Sequence, residues 1–567
     1  MFRNSFKDKY CALVLLVLFN NDLCVEDIQE SSISTEKYEH ALKLCEMQKN
    51  TTPHTIDDAF ETLQGFFVKK IIDNYHFYHD FVMEVTTYVF GKKCPLQIIE
   101  YADISFLRKR VTLKCFNDTT DQFTISLSDK YIDALGKRLF NDMFGERLLD
   151  VVLNPCLNNE KVMRIFINEL KHHPEKLKLL LEKQKLQIDT QEINQTSNYF
   201  FLSKLVFVSL EERISPLSAI IIFCDTRLSL NCLKILQQMP EYFVGNSLLS
   251  SICCNGSKDV YSMFIKDHIR ESQAEKWKHL FPIHIASAFH NNDILRELLE
   301  NGADVNLKTT DENQLTPLTI ATGNKTEEKE ENDNENSSHS SRSCTVEVLL
   351  SHGADINLCM ENGASPLYIA CQEGHNNIVD LLVSNGADIN LCTKNGASPL
   401  LIACEEEHDD IVQNLLSKGA NINTSMEDGT SPLFKACHEG HENTVRILLH
   451  NGADVNICII DGSSPLFIAC QEGHEIIVEL LQKKGADINF CKENGASPLY
   501  VACEKEHENI VQFLNKNEAE VNLCLKDGTS PLCISCQKNH GVIVEILMQR
   551  GADINLCSEN GASPLHT

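Results

Sequence analysis

Apolar residues in the second half of the chain fall into pairs of short clusters, and the interval between pairs is constant. In Gly363 to Asn390, GASPLYIACQEGHNNIVDLLVSNGADIN, Leu367, Ile369, Ala370 and Cys371 make one short apolar face. Ile378, Val379, Leu381 and Leu382 make a second at helical spacing. The first cluster predicts a helix opening at Ser365–Pro366, because serine caps exposed amides and proline at the first helical position gives up no needed donor. Gly374 ends that helix by taking the left-handed conformation. The second cluster predicts another helix, ended by Gly386, after which Asn395-Gly396 signals a projecting hairpin. Prolines stand at Pro366, Pro399, Pro432, Pro465, Pro498, Pro531 and Pro564, each 33 residues after the last. A fixed period of this size marks a repeat array, in which each unit leaves an apolar face that only its neighbours cover.

These strings resemble the ankyrin repeat, whose S/T-P-L, G-H, L-L and G-A-D-I/V-N elements stand here almost unaltered. The resemblance is strong over 282–567 and implies an all-α ankyrin solenoid of helix-turn-helix plus hairpin units. Full units start near Pro282, Pro317, Pro366, Pro399, Pro432, Pro465, Pro498 and Pro531, so 281–567 is expected to hold eight units and a truncated ninth. Ile214-Ser215-Pro216-Leu217 lies 66 residues, two periods, before Pro282, and Ser247-Leu248-Leu249 sits near the intermediate position. Two degenerate units are therefore expected in 211–280.

The departures from the family pattern carry expectations of their own. The histidine after P-L, which the resemblance implies bonds between units, is kept at His284 and His566 and replaced by Tyr368, Leu401, Phe434, Phe467, Tyr500 and Cys533. Those replacements should make the groove more apolar. The helix-ending glycine becomes Glu407, Glu506 and Asn539, each costing ~1 kcal/mol if a left-handed geometry is retained. Pro317 and Pro366 are 49 residues apart, 16 more than the period. The excess falls within 323–343, GNKTEEKEENDNENSSHSSRS, whose polar, acidic and aperiodic composition predicts a disordered loop. The chain stops at SPLHT, inside the first helix of the ninth unit, where a polar capping unit is expected; this reads as an incomplete product.

Cysteine and histidine recur with the repeats, and three chemistries have to be weighed for them. Of 24 cysteines, one ladder is Cys371, Cys404, Cys437, Cys470, Cys503 and Cys536, and another is Cys359, Cys392, Cys458, Cys491, Cys524 and Cys557. Neighbouring units lie roughly 8 to 10 Å apart, the spacing of packed helices, whereas a disulfide needs Cα atoms within about 7 Å, so equivalent cysteines should not pair. Thiols in this number suit a reducing compartment, which predicts a cytoplasmic protein. Structural zinc needs four ligands on one ion, and one repeat offers a single Cys–His pair, so no metal is expected. A cysteine nucleophile needs a base, an orienting group and an oxyanion site in one pocket, which a repeated local string does not supply. Packing is the remaining reading: cysteine takes the second place of the ankyrin A-A pair, and His375 and its equivalents are implied to order their loop.

A formal net charge of -29 argues against nucleic-acid or anionic-membrane partners, since phosphate binding requires a basic face. CALVLLVLF, Cys11 to Phe19, is too short for the ~20 residues that span a bilayer and lacks a small-x-small cleavage site, so it reads as a buried helix. No GxxxxGK[ST] string occurs, so no nucleotide hydrolysis and no cofactor is assigned, and the chain is read as non-enzymatic.

GFFVKKIIDNYHFYHDFVMEVTTYVF, Gly65 to Phe90, resembles the winged-helix end of STAND-class signal-transduction NTPases of the NACHT type. In that family a strand is followed by a helix-leading H-D, and the resemblance implies that His79, between Tyr78 and Asp80, is a remnant contact to a nucleotide phosphate. Lys69 or Lys70 would be its cationic companion. The domains expected are then a helical, winged-helix-like tail over 1–90, a helical spacer over 91–210, the degenerate units and the regular repeats. Ankyrin-bearing STAND proteins of invertebrates have this order, and the resemblance suggests the ligand-sensing arm of an innate-immune type receptor. The alternative is a truncated piece of a nucleotide-switched NTPase whose phosphate-binding loop lies upstream.

In ankyrin proteins partners are held by hairpin tips and by the exposed end of each first helix. The matching positions are Met360, Glu361, Gln372 and Glu373; Thr393, Lys394, Glu405 and Glu406; Met426, Glu427, His438 and Glu439; Ile459, Ile460, Gln471 and Glu472; and Lys492, Glu493, Glu504 and Lys505. Ile459 and Ile460 are two apolar residues at a projecting turn, either a contact with the neighbouring tip or a binding hot spot ringed by acids. The partner expected is a protein with a basic surface.

Overall fold

The computed structural model describes residues 280–323 and 341–559 without a break, and also 561, 563 and 564. Before them it describes 53–64, 68–71, 74–77, 94–102, 104–113, 124–145, 147–177, 186–187, 213–224, 226–237 and 248–265, with short pieces of 9–47 and 86–89. Two compact units divide the chain, Met1–Lys278 and His279–Thr567.

In the first unit residues 11–16 are helical, and Cys11, Ala12, Val14, Leu15 and Leu16 are fully buried, so this part of the apolar run is core. Strand β1 (Leu23–Cys24), helical residues within 38–43 and the helix Pro53–Leu63 follow. Strands β2 (Val68–Ile71) and β3 (Asn74–Phe77) then complete an antiparallel sheet of order β1-β3-β2, with Tyr75 opposite both Leu23 and Lys70. Tyr75 is the hub of this small core. Its ring stacks on Phe60 at 4.5 Å, and its hydroxyl lies 2.7 Å from Asp57 Oδ1 and 2.9 Å from Glu61 Oε1. Burial, reinforced by those two carboxylates, pushes the phenol pKa up.

The stretch expected as a helical spacer is not purely helical. Helices Pro95–Tyr101, Ile104–Arg110, Ile132–Asp142, Leu148–Val152 and Glu160–His172 enclose a short parallel pair, β4 (Val111–Leu113) and β5 (Ile125–Leu127). VTL and ISL each set a less buried residue between two buried ones, the period-two pattern that three residues are too few to announce. Arg108 and Asp150 pair at 3.2 Å with side chains under a tenth exposed, and Phe140 meets Phe166 edge-on at 5.4 Å. Further along come Pro216–Phe223 with Thr226–Gln237, and Leu248–Asn255 with Lys258–Ile265. First helix packs on first and second on second, and the Ser215 hydroxyl accepts from the Ser218 amide at 3.1 Å.

The second unit contains eight helix pairs among its described residues. They are Pro282–Ala288 with Asn292–Glu300, Pro317–Gly323 with Ser341–Ser351, Pro366–Gln372 with Asn376–Ser384, and Pro399–Glu405 with Asp409–Ser417. Next come Pro432–Glu439 with Glu442–His450, Pro465–Glu472 with Glu475–Lys483, Pro498–Glu504 with Glu508–Lys516, and Pro531–Gln537 with Gly541–Gln549. From Ser365 to Ser530 each serine before a helix-starting proline caps the amide three residues on at 3.1 Å. Ala370 and Cys371, with their equivalents as far as Ala502 and Cys503, are fully buried between helices, which explains the cysteine ladder as packing. Burial pushes the Cys503 thiol up to about 12.

Three expectations need correction or refinement. Leu401, Phe434, Phe467 and Tyr500 do not face an open groove: they are buried, in the place that the fully buried His284 occupies in its own unit. Residues 324–340 of the acidic insert lie outside the described residues, but Gly323 and 341–343 are helical, with Arg342 and Ser343 buried. The Arg342 guanidinium meets His375 Nε2, and Thr345 Oγ1 donates to Asn292 Oδ1 at 2.8 Å, so the second helix starts earlier than polarity alone suggested. Glu407, Glu506 and Asn539 keep the left-handed backbone of the glycines they replace, at φ 59°, 66° and 63°.

Candidate partner-binding surface

The array presents a row of hairpin tips, and that row is built almost entirely by peptide groups. Within one tip the Met426 amide bonds to Thr430 O at 2.9 Å and the Gly429 amide to Met426 O at 3.0 Å. Successive tips are joined by one main-chain bond each: Lys394 N to Asn362 O, Glu427 N to Asn395 O, Ile460 N to Asp428 O, Glu493 N to Asp461 O and Lys526 N to Asn494 O, all between 2.8 and 3.1 Å. A Cβ on Gly429 would stand 2.8 Å from Ile459 Cα, so the tips approach backbone to backbone and glycine is needed there, at φ 89° as well.

A second ladder, of asparagine side chains, joins the units. The Asn456 carboxamide oxygen accepts from Asp487 N at 3.1 Å, and Asn357, Asn390, Asn423, Asn489 and Asn522 do the same for the following unit. Its signal in the sequence is the recurrence of G-A-D-I/V-N every 33 residues.

The G-H histidines also reach across the repeat boundary. They bond to the preceding unit and do not merely order their own loop. His408 Nε2 donates to Gln372 O at 3.1 Å, His441 to Glu405 O at 2.9 Å, His474 to His438 O at 3.2 Å and His507 to Gln471 O at 3.0 Å. The acceptors are the ends of the first helices, so the side chains of Gln372, Glu405, His438 and Gln471 project from a backbone fixed by the next unit.

Residue by residue, the proposed contact positions divide. Glu361, Lys394, Glu406, Glu427, His438, Glu439, Ile460, Glu472, Glu493 and Lys505 are exposed; Met360, Gln372, Glu373, Glu405, Met426, Ile459, Gln471, Lys492 and Glu504 are partly so. Thr393 is a correction. It is buried, and its hydroxyl accepts from the Ala397 amide at 3.0 Å, so it holds the tip together and presents no contact. Glu361 and Lys394 pair across two tips at 2.7 Å, and Lys435 lies 3.0 Å from both Glu405 and Glu439. Tyr78, His79 and Asp80 lie outside the described residues. Among the described residues no group of three or more His, Cys, Asp or Glu side chains is placed to hold a metal ion. No described helix is long and apolar enough to cross a membrane.

A model of ankyrin repeats in three copies matches residues 283–392, 335–426, 385–459 and 433–524, and a single-repeat model matches 527–559. Residues 283–559 are ankyrin repeats. Ankyrin arrays serve as protein-interaction modules. Among solved structures the array is similar to the human ASB11 ankyrin repeat domain, at 29% identity over 36% of this chain and 91% of that one, with a TM-score of 0.34. No curated protein matches.

Proposed function

We propose that this chain is a non-enzymatic scaffold that binds a protein partner along the tips and first-helix ends of its ankyrin array. The observation that carries this is the division of labour in the array: main-chain bonds, the Asn and His bonds between units and buried Ser and Cys hold it together, while the outward positions vary in charge and polarity from unit to unit. A surface that varies on a constant frame is suited to reading another protein. A photo-crosslinking amino acid placed at Glu361, Glu427 or Glu493 should then capture a partner that the same group at Glu479 or Lys483, on a second helix, does not. Equal capture from both sets of positions refutes this placement.

The N-terminal part is proposed as the winged-helix tail of a STAND-type switch, which makes the array the sensing arm of an intracellular, innate-immune type signalling protein. The order helix, β1, helix, helix, β2, β3, with β1 on the last strand, supports this because it is the layout of a winged helix with β2–β3 as the wing. On this reading the chain by itself should neither hydrolyse ATP nor retain ADP. Turnover that survives repurification favours an enzyme instead.

A further inference from the structure

Ile460 is 72% exposed, the highest value of any large apolar side chain in the described residues. The two isoleucines of this tip therefore have separate tasks. Ile459 is half-buried against Gly429 of the neighbouring tip, whereas the array uses only the backbone amide of Ile460, in its 2.8 Å bond to Asp428 O. On the tips to either side the equivalent position is Glu427 and Glu493, both exposed, and neither is in an ion pair among the described residues. The two lysines on the tips and first helices of 426–496 are already engaged. Lys435 lies between Glu405 and Glu439, and Lys492 lies against Asp461 at 2.5 Å and over the Phe467 ring. The uncompensated charge around Ile460 is therefore negative. A second copy of this chain docking tip to tip would bring carboxylates against carboxylates, which disfavours self-association here.

We propose that Ile460, between Glu427 and Glu493, is the anchor for a basic partner segment in polyproline II conformation, in which an aliphatic side chain has an arginine or lysine three residues before it and three after. This rests on the protein-binding reading above and gives the partner its chemistry. The spacing comes from two repeats of matching length. Stacked helical units are about 8–10 Å apart. A polyproline II segment advances about 3.1 Å per residue and returns to the same face every third residue, about 9 Å on. One face of such a segment laid along the tips therefore meets Glu427, Ile460 and Glu493 in turn. A β-strand does not, because side chains three apart on a strand point to opposite faces.

The test uses the full chain and three fluorescein-labelled peptides read by anisotropy: one with the core Arg-Pro-Pro-Leu-Pro-Pro-Arg, one with the same residues reordered as Arg-Arg-Pro-Leu-Pro-Pro-Pro, and one with glutamate for arginine. The first should bind, and the other two should bind at least about fivefold more weakly, a difference of ~1 kcal/mol. Ile460→Ser should weaken the first peptide by a similar factor, and so should Glu427→Lys with Glu493→Lys, while the thermal midpoint stays unmoved. Rising salt should weaken binding in the parent and much less in the double lysine variant. No binding of the first peptide at about 1 mM protein, the weak end of specific recognition, overturns the inference. Equal binding of the reordered peptide also overturns it, as does indifference to Ile460→Ser. Crosslinking confined to the tips, together with any of these failures, leaves the scaffold reading standing while this partner chemistry falls.

Discussion

Gly473→Ala tests whether the helix-ending glycines matter through the backbone or through their neighbours. Gly473 sits at φ 83°, and a Cβ there would come within 2.6 Å of Cε1 and 3.0 Å of both ring nitrogens of His507. The left-handed backbone costs an alanine ~1–2 kcal/mol. If the ring gives way, the 3.0 Å bond from His507 Nε2 to Gln471 O is lost, for a further ~1 kcal/mol. Glu407 and Glu506 already carry a side chain at this position. At Glu407 the backbone has moved to φ 59° and His441 keeps its 2.9 Å bond to Glu405 O; at Glu506, φ 66°, His540 instead uses Nδ1 to reach Cys503 O at 2.9 Å. The strain is common to both and the ring's response is not, so the expected loss is about 2 kcal/mol. Repeat arrays do not unfold as one two-state block, so local hydrogen exchange should be followed beside urea unfolding, at the His507 amide that bonds to Ala502 O. A loss below ~0.5 kcal/mol with unchanged exchange at that amide refutes the reasoning. The reverse change, Glu506→Gly, should stabilise by up to ~1 kcal/mol.

Other outcomes follow from named contacts. Arg108→Ala leaves Asp150 as a buried charge without its guanidinium and should destabilise the first unit by ~3 kcal/mol, seen as an earlier urea transition with the array's exchange unaltered. His284 is fully buried, and burial pulls its pKa down to about 4, so the unfolded chain takes up a proton near pH 6.5 that the folded chain refuses. Its contribution is present above pH 6.5 and is lost as pH falls toward 4, a difference of ~2–3 kcal/mol; His284→Gln should flatten that part of the pH profile, and an unchanged slope refutes the assignment. Ile459→Ser should cost ~1 kcal/mol in thermal or urea unfolding and Ile460→Ser close to nothing, because only the first is covered.

What the sequence made legible depended on repetition. Ser365-Pro366, Cys371 and Gly374 each had equivalents at a fixed interval, so one reading of local chemistry was checked many times, and the helices formed where the caps said they would. The left-handed turns at Glu407 and Glu506 were legible for the same reason: the period marks where a glycine belongs even when none is present. Side-chain direction was harder. Thr393 and Glu427 differ by one place in the tip, and one holds the turn while the other meets water, a difference set by the bond from Thr393 to Ala397. The aromatic residues after P-L read as groove lining because they are apolar, but an apolar side chain with room beneath the tip goes inward. Before residue 279 nothing repeats at full strength, and the parallel pairing of Val111–Leu113 with Ile125–Leu127 rests on contacts between segments that no local pattern announces.

The bonds between tips run from amide to carbonyl, and those of the second ladder run from an amide to an asparagine oxygen. Neither kind inspects the outward side chain, so each joint accepts the same neighbour whatever residue that neighbour displays. A unit duplicated, deleted or exchanged in whole multiples of the period would find a fitting seat on both sides. The tips then behave like interchangeable type in a common forme: recombination between units can reset what the surface spells without recutting the frame that holds it.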